Sequence, residues 1–152
     1  MGGTFWNEKW ETKPWDDEEL GELRWKRLKR TLGYCYDNSP HYYRKKFDEL
    51  GIKPEDIKTW KDFSRLPILV VKDDERRTEE ESLAKERHPF GMFLCCRVDK
   101  VVGVATTGGT TGRPIYSIVL TKHDLDVWDE FMARAWWWAG LSPGDRVANG
   151  FA

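Results

Sequence analysis

Nine residues, Thr106-Thr107-Gly108-Gly109-Thr110-Thr111-Gly112-Arg113-Pro114, constrain this 152-residue chain more than any others. Three are glycine and four are threonine. Val101, Val102, Val104 and Ala105 precede them and residues 115–120 follow, and both flanks read as strands. Glycine permits positive φ and lets backbone N–H groups come close to a phosphate. Threonine hydroxyls add donors, and the Arg113 guanidinium adds a fixed charge with forked geometry. Thr107, Gly108, Gly109, Thr110, Thr111, Gly112 and Arg113 are therefore candidates for gripping the outer phosphates of a nucleotide. The run is not a Walker P-loop, which needs Gly-Lys-Ser/Thr opening a helix, because Gly112-Arg113-Pro114 leads into a strand. Its glycine spacing is also wrong for a dinucleotide fingerprint. Taken alone, the stretch reads equally well as an ordinary hairpin loop.

Upstream of Val98 the chain is helical in character. Trp6, Trp10 and Trp15 stand among polar residues without a period, as in an extended arm anchored by its indoles. A helix is expected from Asp16, with acidic residues in its first turn and Trp25, Leu28, Leu32 and Cys35 on one face. It should stop near Asp37-Asn38-Ser39-Pro40. A short helix over residues 42–50 closes at Gly51, and Pro54-Glu55-Asp56 turns. Thr59 caps a helix over 60–65. Residues 72–87 are nearly all charged, with Asp73 and Arg77, and Glu81 and Lys85, spaced as i, i+4 pairs on a solvated helix. Downstream of the loop, Thr121 and Asp124 make a capping box. Leu125, Trp128, Met132, Ala135, Trp136 and Ala139 then form an apolar stripe, with Phe131 and Trp138 off it. Such a helix is apolar on more than one side and expects further cover. Gly140 ends it, Pro143-Gly144-Asp145 turns, and residues 146–151 read as a last strand.

Charge and cysteine usage exclude several classes. Twenty-five basic against 26 acidic residues give a net charge of −1, which argues against nucleic acid or an anionic membrane as partner. Apolar runs at 67–71 and 90–96 are too short to span a bilayer, and the first six residues hold no signal core. Cys35, Cys95 and Cys96 are odd in number, two are adjacent, and none has zinc spacing, so they read as small buried hydrophobes kept reduced in the cytoplasm. His41, His88 and His123 are scattered without a partner pattern, and neither a catalytic residue nor a metal ligand is expected within the chain.

Gly109-Thr110-Thr111-Gly112-Arg113-Pro114 resembles the phosphate loop of adenylate-forming enzymes, and the flanking segments resemble one branch, the phenylacetate–CoA ligases. These segments are Tyr42-Tyr43-Arg44-Lys45-Lys46-Phe47, Lys53-Pro54-Glu55-Asp56-Ile57, Leu66-Pro67, and Pro89-Phe90-Gly91 with Phe93. Thr121-Lys122 with Asp124-Leu125 and Trp128, then Pro143-Gly144-Asp145 with Asn149, complete the series in order and approximate spacing. Gly108 departs from the family's second serine and Arg113 from its lysine, and the charged helix before Pro89 is longer than usual. The resemblance implies an α/β fold: a helical N-terminal region, then the first strands and helix of the layered adenylate-forming N-terminal domain, incomplete. On that basis residues 1–97 form the helical region, and 98–152 begin the AMP-binding domain with its phosphate loop at 106–114.

The implied reaction joins an aromatic carboxylic acid to ATP as an acyl-adenylate, then transfers the acyl group to coenzyme A with release of AMP. ATP, Mg2+, coenzyme A and the acid are the implied ligands. The family's later motifs (the acidic residue tied to magnesium, the ribose-binding aspartate and the catalytic lysine) have no counterpart here. Two other readings therefore stand beside a ligase segment: an inactive truncated or split polypeptide that folds with a separate partner, and a stand-alone nucleotide-binding module.

Overall fold

The computed structural model describes residue 9, residues 12–106 and residues 117–148. Trp6, Trp10, the loop candidates Thr107 to Arg113, and residues 149–151 lie outside the described residues. The long helix α1 (Glu18–Asn38) starts two residues later than expected. The Asp17 carboxylate accepts the Leu20 N–H at 2.9 Å and so occupies the cap, with Glu18 and Glu19 behind it at the positive end of the helix dipole. Trp15 anchors nothing in a core. It is 81% exposed, and the Arg24 guanidinium lies 3.9 Å from its ring centroid.

Pro40 cannot continue α1, and Ser39 marks the boundary. The chain widens into a π-helical turn (Pro40–Arg44), in which Arg44 N–H reaches the Ser39 carbonyl at 3.0 Å. That turn runs into α2 (Lys45–Glu49), so the helix expected over 42–50 begins earlier and in a different geometry. Gly51 (φ +67°) ends it. The turn at Pro54–Asp56 is a single 3-10 turn. The Lys29 ammonium clamps it to α1 by donating to the Pro54 and Ile57 carbonyls, each at 2.9 Å. Thr59 caps α3 (Trp60–Ser64) through a reciprocal box with Asp62. The core forms between these pieces: Leu32 from α1, Phe47 from α2, and Ile57, with Trp25, Leu28 and Phe63 packed around them.

The charged helix α4 (Lys72–Glu86) is less solvated than its sequence predicts. Lys85 and Glu81 pair at 2.5 Å as expected. Arg77 turns to Asp74 at 2.5 Å instead of Asp73, because Asp74 already points back to accept the Val71 N–H. Thr78 and Ser82, four residues apart on one face, are 1% and 0% exposed. Ser82 donates its hydroxyl proton to the His88 carbonyl at 2.8 Å and accepts the Gly91 N–H at 3.0 Å. Gly91 has φ +81°, and a Cβ there would meet the Phe93 ring at 3.0 Å and Thr78 Oγ1 at 3.2 Å.

Two strands follow, β1 (Val101–Thr106) and β2 (Ser117–Thr121), paired antiparallel. β2 passes directly into α5 (Lys122–Trp138). Gly140, at φ +89°, ends that helix. Residues 146–148 carry no regular structure, against the strand expected over 146–151; the described sheet holds two strands and neither pairs with this segment. The described chain is mostly helical with one short antiparallel pair.

Candidate functional site

The strand pair holds the ends of the glycine–threonine run in fixed register. Val104 faces Val119, Ala105 faces Ile118 and Thr106 faces Ser117, the last described pair before residues 107–116. The register shifts between Val101 and Gly103 at the base of β1. Exposure alternates along β1: Val102 and Val104 are about half exposed while Val101, Gly103 and Ala105 are partly covered. Thr121 both ends β2 and caps α5. Its N–H donates to Asp124 Oδ2 at 2.8 Å, and its hydroxyl accepts the Asp124 N–H at 3.3 Å. The strand pair is therefore continuous on one side with a helix, since β2 passes into α5 without a break. The seven candidate phosphate-binding residues, Thr107 to Arg113, lie outside the described residues, and only their two flanking strand ends are placed.

The hairpin base is a different environment. Thr121 lies four residues from Ser117, about 13 Å along an extended strand. There a cavity of about 550 Å3 opens between α1 and the start of α5, lined by Tyr34, Cys95, Cys96, Val119 and His123. Beside it a groove of about 940 Å3 runs between Arg27 and Arg30 of α1 and Trp128 and Phe131 of α5. Sequence reasoning missed the base altogether. Cys35 and Cys95, 60 positions apart by number, interact through their thiols, which pulls Cys35 down to about 7 and pushes Cys95 up. Burial raises Cys96. No local pattern in the chain announces this pairing, since it depends on how α1 meets the segment before β1.

Two of the three histidines converge on one carboxylate, Glu86. His41 is exposed, 3.8 Å from Glu86. His88 is 6% exposed, 3.0 Å from the same carboxylate, and its Nδ1 accepts the Phe90 N–H at 3.3 Å. His123 lines the cavity and groove at the hairpin base. Tyr42, inside one of the resemblance segments, donates to the Leu69 carbonyl at 2.8 Å, and burial, reinforced by Asp74, pushes its hydroxyl up to about 12. It is a structural tie rather than an acid or base. Among the described residues no group of three or more His, Cys, Asp or Glu side chains could hold a metal ion, and no helix is long and apolar enough to cross a membrane.

The arrangement of helices leading into this hairpin and helix is similar to part of a solved CoA ligase. It superposes on a 2-hydroxyisobutyryl-CoA ligase in complex with 2-HIB-AMP and CoA in the thioesterification state, at TM-score 0.69 and 29% identity, over 92% of this chain and 30% of that one. An open conformation of that ligase, also in complex with 2-HIB-AMP and CoA, matches at TM-score 0.69 and 27% identity, over 92% of this chain and 33% of that one. By sequence the chain is similar to phenylacetate-coenzyme A ligases. It is 35% identical to that of Aromatoleum evansii and 33% to that of Escherichia coli, each over 130 residues that make up 86% of this chain and 27% of the relative. Against the Thermus thermophilus ligase it is 34% identical over 134 residues, 88% of this chain and 27% of the relative. No family model matches. The chain spans about a quarter of the length of the curated relatives it matches.

Proposed function

We propose that this chain supplies the nucleotide-phosphate grip of an ATP-dependent acyl-CoA ligase acting on an aromatic carboxylic acid. In this reading residues 1–97 are a helical region, and 98–152 begin the nucleotide-binding domain. The observation that carries the proposal is the strand pair: in fixed register it sets Thr106 opposite Ser117, the described residues on either side of the segment that holds the rest of the glycine- and threonine-rich run. Backbone N–H groups near Gly108, Gly109 and Gly112, the hydroxyls of Thr107, Thr110 and Thr111, and the Arg113 guanidinium supply the donors. Their task is to hold the β- and γ-phosphates and spread their charge while a carboxylate oxygen attacks the α-phosphorus. The acyl-adenylate forms as pyrophosphate leaves, and a CoA thiolate then displaces AMP. An aromatic acid is preferred because the sequence relatives are named for phenylacetate, whereas the ligand of the structural neighbour is a 2-HIB adenylate.

A second reading, in which the segment works only against a separate polypeptide carrying the rest of the ligase, is favoured by the aromatic surface of α5. Phe131 and Trp138 are 66% and 69% exposed.

Calorimetric titration with ATP tests the grip. Arg113→Ala is expected to weaken binding by at least tenfold, in line with about 1.5–3 kcal/mol for a hydrogen bond to a charged group. The helical circular dichroism should stay unchanged. Equal affinities in the two proteins, or no binding by the native sequence, would overturn the assignment.

A further inference from the structure

We propose that the seam between α1 and α5 is a second ligand site, which takes an aryl carboxylate. Two openings adjoin along it, the groove of about 940 Å3 and the cavity of about 550 Å3. Arg30, Val119, His123 and Asp124 line both, so the two share a polar junction. The α1 wall follows from helical spacing. Arg27, Arg30 and Tyr34 stand at i, i+3 and i+7, which puts them on one face of the helix. Both arginines are exposed, and among the described residues neither guanidinium has a hydrogen bond or an ion pair. Tyr34, half exposed, adds a phenol hydroxyl at the cavity end. On the α5 wall, Val127, Trp128 and Phe131 are 55%, 41% and 66% exposed and make an apolar, aromatic surface. A small molecule that satisfies both walls has an anionic head and a flat apolar body.

Charge balance selects the head. Arg27 and Arg30 against Asp124 leave one net positive charge among the guanidiniums and carboxylates of the described lining. One carboxylate neutralises it, whereas a phosphate dianion overshoots. Asp124 is committed to the helix cap, since its Oδ2 accepts the Thr121 N–H at 2.8 Å and the Thr121 hydroxyl at 2.7 Å. It therefore does not neutralise the arginines by pairing with them. The planar guanidinium of Arg30 offers parallel N–H donors that match a carboxylate, and Arg27 adds charge one turn away. A single exposed ion pair is weak in water, so burial of the ring has to act with the two arginines. Trp128 and Phe131 provide the faces and edges against which an aromatic ring packs. The ligand class coincides with the acid of the proposed reaction. The site does not depend on that reading, because its described lining lies on α1, β2, α5 and residues 94–96.

The isotopically labelled full chain is titrated with 2-naphthylacetate in the absence of ATP, and backbone and indole N–H shifts are followed. Saturable changes are expected from Arg30 to Tyr34, from His123 to Phe131 and on the Trp128 indole. The neutral 2-naphthylacetamide should bind more weakly by roughly tenfold, and the acid should lose a similar factor on the Arg27→Gln, Arg30→Gln double variant. Phe131→Ala should weaken acid and amide alike. Equal binding of acid and amide would reduce the seam to an apolar patch and overturn the proposal. Shifts confined to Trp136, Trp137 and Trp138 would overturn it too, as would no saturation by about 10 mM, weaker than a ligand of this size reaches in a formed cleft. The substitutions fall on exposed side chains, and the titration of the native sequence stands without them.

Discussion

Phe47 is 1% exposed, and its ring meets Tyr36 edge-on at 5.9 Å while sharing the core with Leu32 and Ile57. Truncating it leaves a void that neighbours on three separate elements cannot all collapse into. Phe47→Ala is expected to cost about 3–5 kcal/mol, read as a fall in the urea midpoint with an unchanged slope. A loss under ~1 kcal/mol would mean that this cluster is not the core. Single residues also mark where sequence reading works. Thr59 and Thr121 were legible as caps because the groups that cap them stand three positions away, at Asp62 and Asp124. Ser82, Thr78 and the Cys35–Cys95 pair were not, because their partners arrive by tertiary folding. The charges around Ser82 in sequence concealed a face that the structure buries.

At the scale of elements, boundaries followed local chemistry. α1 stops where Ser39-Pro40 removes a donor, and α2 stops at Gly51 with positive φ. The π-helical turn at Pro40–Arg44 escaped notice because nothing in its composition separates it from an α-helical start. The box that starts α3 also makes this helix sensitive to acid. The Thr59 hydroxyl holds the Asp62 carboxyl below its ordinary value, with backbone N–H groups of Lys58 and Thr59 adding to the effect. A depressed carboxylate contributes stability that is present above the ordinary value near pH ~4 and is lost as pH falls through the lower folded value. The stability difference between the native chain and Asp62→Asn should therefore be largest near neutrality and shrink toward zero in acid. Urea midpoints measured across that range check it. A difference that does not change with pH would show that the box acts through shape alone.

For the whole molecule, the informative feature is an apolar surface that the described residues leave open. Trp136, Trp137 and Trp138 are 43%, 52% and 69% exposed, and Val102 and Val104 of β1 are about half exposed. Contiguous patches of several hundred Å2 are uncommon on soluble monomers. At micromolar concentration the chain is expected to self-associate in light scattering and to bind a dye for apolar surface. A sharp monomer peak without dye binding would contradict this. The strand pair and the helix that follows it were legible from composition and caps, and the resemblance matched this stretch to part of longer ligases. The strand expected over 146–151 was not found in residues 146–148, because a strand is defined by its neighbour and the described sheet offers none.

The central claim, that the glycine–threonine run grips nucleotide phosphates, is open to one direct measurement. Amide NMR shifts of the isotopically labelled chain are followed during titration with ATP and, separately, with adenosine. The largest ATP-dependent changes are expected on Thr107 to Arg113, with adenosine leaving those amides nearly unmoved. Changes that avoid this run, or that adenosine reproduces in full, would contradict it.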